Sequence, residues 1–346
     1  MSNHSFIRKD RLILIAVASM LIIASSLISI DSSLGTSNIA YSQLDPNQTN
    51  SNTTNSINMQ DIQLKKVHVG DIDVAYKIFG KGEPILLFNG ASDTMDAWDP
   101  SFLKVLSSNH TVIVFDSRGL GDTTTGTKPY SIKLLANDTA GLFDALKIPK
   151  ADVIGYSLGS FIAQQFTMMY PDKVNSLVLV ASSCGGSYGI DQTPAFKKLQ
   201  SDVVNKSLNN VPISQEEMKS LSAASLGSGW IRLHPESLNI PANLTFQQMK
   251  PGLPPDTMKN QMDIGFAWRA ANWSGACDEL AKLAKPMLVI TGTDDNLYVN
   301  YVNSLKIVEK IPGAWLVQIK NAGHGVMDQY PEEIGKILNT FLSTTG

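Results

Sequence analysis

Asp152-Val153-Ile154-Gly155-Tyr156-Ser157-Leu158-Gly159 is the stretch on which the reading of this chain turns. Asp152 to Ile154 is a short apolar run that reads as a buried strand. Ser160 to Tyr170 reads as a helix, and Pro171 stops it. Between them sits a serine with a glycine on either side. A nucleophile on a tight strand-to-helix turn needs small neighbours, because a larger side chain would meet the crossing backbone. Such a turn exposes the hydroxyl and sets it at a helix N-terminus, with the Leu158 N–H directed at a developing oxyanion.

Outward from Ser157 the search is for a base, since a serine hydroxyl attacks poorly until its proton is removed. The chain has five histidines. His4 precedes an apolar N-terminal run. His68 falls in an opening hairpin, His110 just before a strand, and His234 in a long insertion. His324 lies in Asn321-Ala322-Gly323-His324-Gly325, a loop between the last expected strand and the last expected helix. That position lets the imidazole swing over the sheet edge towards Ser157. A carboxylate that orients it should follow an intervening strand. Met287 to Thr291 leads into Gly292-Thr293-Asp294-Asp295, and the residues by themselves leave both aspartates open.

The surrounding pattern is strand, helix, strand. Lys66 to Val69 and Ile72 to Ile78 suggest a hairpin. Runs at 85–88, 112–115, 152–154, 176–181, 287–291 and 315–319 are continuously apolar, as suits strands buried on both faces. Helical patterns occupy 132–146, 160–170 and 332–342. This predicts an α/β fold with a mostly parallel central sheet flanked by helices. About a hundred residues separate the strands ending near Ser182 and starting at Met287, far beyond a usual connection. Helical patterns at 195–208 and 215–224 mark them as an inserted helical cap, at about residues 185–285. Prolines and glycines follow between Lys250 and Asp256. The cap would lie over the C-terminal strand edge, where open α/β sheets bind ligands.

Of the 346 residues, 43% are hydrophobic and 17% charged, enough apolar material for a large core. The net charge of −3, without a basic stripe, offers no footprint for nucleic acid. Cys184 and Cys277 are too far apart in sequence for a CxxC metal site. They flank the cap, whose ends must lie close together, so a disulfide between them stands beside the alternative of two free thiols. Arg8, Lys9 and Arg11 precede a 19-residue uncharged run, 12–30. That makes residues 1–30 a secretory signal or an N-terminal membrane anchor, with the rest exported. Residues 31–60, rich in Asn, Ser, Thr and Gln, read as a disordered polar linker, and the folded unit as 61–346. Asn47, Asn52, Asn109, Asn137, Asn205, Asn243 and Asn272 carry the glycosylation pattern. Trp98, Trp230, Trp268, Trp273, Met249 and Met262 either line an acyl pocket or form plain core.

The stretches LLFNGASDTMDAW, FDSRGLGDT, GYSLG, PMLVITGTDD and NAGHGVMDQYPEEI, from Leu86 to the C-terminus, resemble the α/β-hydrolase superfamily. The chain is similar to its capped serine esterases and perhydrolase-like relatives. The resemblance implies the order Ser157, Asp295, His324, because the family acid stands third after the glycine that ends its strand. It implies the Ala91 N–H as a second oxyanion donor beside that of Leu158. Asn89 departs from the histidine common in that loop. Arg118 would be structural. A serine rather than an aspartate at the turn implies an acyl-enzyme formed from a small ester or related acyl substrate, with no metal or organic cofactor. The same residues would serve a perhydrolase, a cofactor-free haloperoxidase or a C–C bond hydrolase, and the fold also occurs in non-catalytic ligand-binding homologues.

Overall fold

The computed structural model of the chain describes residues 57–345 apart from 241–243, 246, 247, 249 and 251. The signal or anchor at 1–30, most of the linker, Asn47, Asn52, Asn243 and Met249 lie outside the described residues. Among the described residues no helix is long and apolar enough to cross a membrane.

Eight strands form one sheet: β1 Lys65–Val69, β2 Ile72–Gly80, β3 Glu83–Phe88, β4 His110–Phe115, β5 Ala151–Tyr156, β6 Val174–Val180, β7 Met287–Gly292 and β8 Trp315–Ile319. Their spatial order is β1-β2-β4-β3-β5-β6-β7-β8. β2 runs antiparallel to β1 and β4, and every pairing from β4 to β8 is parallel. The apolar runs become the central strands, and all six residues of β5 and of β7 are buried.

Helices cover both faces. α1 Pro100–Ser107 packs on one face with the C-terminal helix Pro331–Thr345, through Phe102, Leu103, Leu338 and Phe341. α2 Ile132–Ala145 and α3 Leu158–Met169 cover the other, through Phe143, Phe161 and Phe166. Truncating one of these aromatic side chains to alanine would cost about 3–5 kcal/mol. The chain leaves β3 in one direction to reach β4, then returns past β3 to β5. That reversal opens a crevice beyond the carboxyl ends of β3 and β5.

The insertion after β6 is helical: α4 Pro194–Leu208, α5 Gln215–Leu226, α6 Ser228–Leu233, α7 Pro255–Arg269 and α8 Cys277–Lys282. Thr193 caps α4, and Ser214 with Glu217 forms a capping box on α5. α7 had no expectation from sequence beyond a proline- and glycine-rich stretch. It forms because Pro254 and Pro255 sit at its N-cap and first position, where a missing N–H removes no helical bond. Cys184 and Cys277 are joined in a disulfide, Cα atoms 5.3 Å apart, so the two ends of the insertion are fastened together.

The folded unit starts ahead of residue 61. Met59 is buried, and its carbonyl accepts a 2.8 Å hydrogen bond from the Lys77 ammonium. Residues 57–60 therefore pack on the sheet and do not belong to a disordered linker. The remaining elements are α9 Val302–Lys310, α10 Val326–Gln329 and α11 Pro331–Thr345, the C-terminal helix.

Candidate active site

β5 delivers Ser157 to the sheet edge in a strained backbone conformation, φ 53° and ψ −121°. A non-glycine residue held there costs about 1–3 kcal/mol and persists only where its surroundings enforce it. They do so here. The Ser157 N–H donates to the Val180 carbonyl at 3.0 Å, and its own carbonyl accepts from the Ser160 N–H at 2.9 Å and the Ser160 hydroxyl at 2.6 Å. The flanking glycines answer to close approach. A Cβ on Gly155 would come within 2.6 Å of the Gly159 carbonyl oxygen, and one on Gly159 would overlap the Phe88 and Asn89 carbonyls.

His324 reaches Ser157 from the loop between β8 and α10. Its Nε2 lies 2.8 Å from Ser157 Oγ and its Nδ1 2.7 Å from Asp295 Oδ2. Asp295 Oδ1 accepts from the Val299 N–H at 3.2 Å. With the carboxylate facing Nδ1, the ring proton belongs on Nδ1, which leaves Nε2 free to accept from the serine hydroxyl. All three side chains are withdrawn from solvent, Ser157 at 6% exposure and the others at 1%. In such a site fixed charges and dipoles act more strongly than in water.

The adjacent aspartates divide as their backbone turns. Asp294 points away from the histidine. Its Oδ2 accepts from the Gly229 N–H at 2.6 Å and the Ser228 hydroxyl at 3.1 Å, tying the start of α6 to the sheet edge.

Phe88 pairs with Gly155, so the loop after β3 runs beside the serine turn. Among the described residues neither the Ala91 nor the Leu158 N–H has a protein acceptor. Asn89, where the family commonly has histidine, donates its side-chain amide to the Thr94 carbonyl and braces the loop from within. The Ser92 N–H, in a positive-φ turn, donates to Gln261 Oε1 on α7 at 2.6 Å. Lys250 meets Asp93 at 2.9 Å. The cap therefore grips the loop that carries Ala91. Beneath it, Asp116 accepts from the Met95 and Asp122 N–H groups at 2.7 and 3.0 Å, and burial pushes its carboxyl up to about 6.

Sequence reasoning had no sight of Tyr298, whose ring stacks on the His324 imidazole at 4.1 Å and 5°. Gln192 holds the Tyr298 backbone, donating to its carbonyl at 3.0 Å. Tyr156, inside the serine motif, donates its hydroxyl to the His324 carbonyl at 3.2 Å. No local pattern signals these contacts: Tyr298 and His324 come from different loops, and the Gln192–Tyr298 and Tyr156–His324 pairs are more than a hundred positions apart.

His4 lies outside the described residues, and the other described histidines stay away from the site. His68 pairs with Asp73, His234 packs on Trp230, and His110 is half-buried at the start of β4 with its pKa lowered by burial. Arg118 is a buried structural residue, bound to Asp71, Asp138 and the Thr125 carbonyl. Trp98 stacks on Phe102 in the core, and Met262 and Trp268 are core as well, Trp268 stacking on Phe161. Trp273 packs edge-on against Trp268, and Trp230 against Tyr330.

A serine, a histidine and a carboxylate in hydrogen-bonded sequence, next to two unengaged N–H groups, can carry out acyl transfer. A sequence model of the alpha/beta hydrolase fold matches residues 83–331. The poly(3-hydroxyalkanoate) depolymerase of Ectopseudomonas oleovorans is 29% identical over 259 residues, 75% of this chain and 84% of that protein. Two solved structures share the fold. A thermophilic esterase from Thermogutta terrifontis superposes with a TM-score of 0.65 at 24% identity, covering 82% of this chain and 99% of its own. The meta-cleavage product hydrolase of Pseudomonas fluorescens IP01 gives 0.65 at 21%, covering 83% and 100%.

Proposed function

Because this chain belongs to the α/β-hydrolase family, we propose that it is a serine hydrolase of carboxylic esters or related small acyl substrates. The observation that carries the reading is the unbroken relay from Ser157 Oγ through His324 to Asp295, at 2.8 and 2.7 Å. Ser157 attacks the substrate carbonyl while His324 Nε2 takes the hydroxyl proton. The Ala91 and Leu158 N–H groups receive the oxyanion, each worth about 3 kcal/mol of transition-state stabilisation. Collapse of the tetrahedral intermediate returns the proton from His324 to the leaving alcohol and leaves an acyl group on Ser157. Water, deprotonated by the same histidine, then releases the acid. Asp295 holds the imidazole tautomer and balances the imidazolium. Tyr298 keeps the ring in plane.

The relative named as a poly(3-hydroxyalkanoate) depolymerase and the structural neighbour named as an esterase both favour ester chemistry. A ligand-binding homologue would have no need to keep a strained serine turn and an aligned relay. We also place the folded unit outside the cytoplasm. The basic-then-apolar segment at 1–30 supports this, and so does the Cys184–Cys277 disulfide, which belongs to oxidising compartments.

The test is hydrolysis of p-nitrophenyl esters from acetate to decanoate by the full chain and its Ser157→Ala variant. Turnover in the first and its loss in the second is the expected result. Equal turnover in both removes Ser157 as nucleophile.

A further inference from the structure

Among the described residues two arginines are buried, and they are housed differently. Arg118, 1% exposed, has two carboxylates and a carbonyl around its guanidinium. Asp138 and Asp71 hold its charge against the cost of burial. Arg269, at the end of α7 in the cap, is 5% exposed and has no carboxylate bound to it among the described residues. Its polar contact is a long 3.5 Å approach from Nη2 to Gln192 Oε1. Nε is buried without an acceptor among the described residues. The rings of Phe161 and Phe266 lie 6.0 and 5.4 Å from the guanidinium carbon. Asp191, an acid whose charge acts on it, is taken up by Lys197 and by the Gln192 N–H. Burial pushes the Arg269 pKa down to about 10. A buried cation without a bound partner destabilises a fold by several kcal/mol, and such a group is retained where an anion completes it.

Its surroundings place it at the edge of the relay. Gln192, which it approaches, also holds Tyr298, whose ring lies on His324. Phe161, under the guanidinium, is one helical turn beyond Ser157 on α3. Gly265, one turn before Arg269 on α7, faces the Leu158 side chain, with a Cβ there 3.7 Å from Leu158 Cδ1. The cation is thus linked to the histidine through Gln192 and Tyr298, and its helix α7 packs on Leu158 one turn earlier, at Gly265.

We propose that Arg269 is a substrate anchor: it binds a carboxylate that the substrate carries apart from the ester to be cleaved, so that half-esters of dicarboxylic acids are the preferred class. This rests on the hydrolytic reading above. A guanidinium pairs with a carboxylate through two parallel N–H donors, which the Nε and Nη2 edge of Arg269 has to offer. The pairing fixes the substrate's length from anchor to scissile carbonyl and makes the protein select by chain length.

The experiment compares monoethyl and diethyl esters of succinate, glutarate, adipate and suberate by pH-stat, in the wild type and in Arg269→Met. The expected result is that one half-ester exceeds its diethyl counterpart in kcat/KM by about tenfold or more, the size of one charge-assisted pair. Arg269→Met then lowers the half-ester's kcat/KM to the level of its diethyl counterpart in the same variant, so that the ratio between the two falls to about one. Diethyl esters preferred throughout the wild-type series, or a preference that survives Arg269→Met, overturns the anchor while the hydrolytic reading stands. Hydrolysis of no ester sinks the hydrolytic reading. In that case, and equally if Arg269→Met fails to fold, thermal denaturation of the wild type decides the site. Dicarboxylates raising the melting temperature above monocarboxylates at matched ionic strength support it, and equal shifts overturn it.

Discussion

Along the sheet edge Arg118 sits between Asp71 and Asp138, whereas in the cap Arg269 sits between aromatic rings with a distant amide as its polar neighbour. The contrast extends to the whole of each region. The sheet edge completes its own polar groups: Ser157 with His324, His324 with Asp295, Asp295 with the Val299 N–H, Asp116 with two N–H groups. Its geometry is ready before any substrate arrives, which is what electrostatic catalysis requires. The cap is tied down at its margins, by the disulfide at its two ends, by Asp294 on α6 and by Gln261 on the Ala91 loop. Its interior leaves a cation without a bound carboxylate among the described residues. On the proposed reading this contrast is a division of labour, with chemistry fixed by the sheet and selection delegated to the cap.

Asp294 and Asp295 put that division to its sharpest test. Asp295→Asn takes away the carboxylate that sets the histidine tautomer, and kcat should fall on the order of ten-thousand-fold. Asp294→Asn touches only the α6 anchor and should change kcat by no more than about threefold. Steady-state kinetics on one ester compares the two directly, and a similar loss in both would erase the distinction between sheet and cap.

The disulfide comes next in size. Replacing Cys184 and Cys277 by alanine frees the ends of the insertion, and stability should drop by about 2–4 kcal/mol in denaturant unfolding. Unchanged stability would mean that the cap's ends are held by packing alone.

Asp116 supplies the smallest effect, and it belongs to the sheet side. Its carboxyl is raised from 3.8 to about 6 by burial, so the fold favours the protonated form. The stability it contributes is fully present below about pH 4 and is lost as pH rises through about 6. After allowance for its residual solvent access, that loss amounts to about 2 kcal/mol. Asp116→Asn should flatten this part of the stability profile between pH 4 and 7, as followed by thermal denaturation. An unchanged slope would assign the pH dependence to other groups.

The sheet side was legible in the sequence and the cap much less so. Continuous apolar runs announce β3 to β7 because both faces are buried, and GYSLG announces the turn because the glycines at 155 and 159 answer to backbone contact. The residues left Asp294 and Asp295 open, since adjacent side chains separate only when the backbone turns, and the family spacing pointed to Asp295. α7 escaped notice because its start is two prolines and its buried face mixes Met258, Gln261, Met262 and Trp268. Tyr298, Gln192 and Gln261 escaped because their roles are contacts made across the fold. Of the tryptophans read as either pocket lining or plain core, Trp98 and Trp268 are core.

The most direct test of the central claim is covalent capture of the serine. The full chain is treated with an alkyl phosphonofluoridate and examined by intact and peptide mass spectrometry, beside Ser157→Ala and His324→Ala. The account predicts one adduct per chain, carried by the peptide containing Ser157, absent from Ser157→Ala and greatly slowed in His324→Ala. An adduct on another residue, or equal labelling of the wild type and Ser157→Ala, would contradict it.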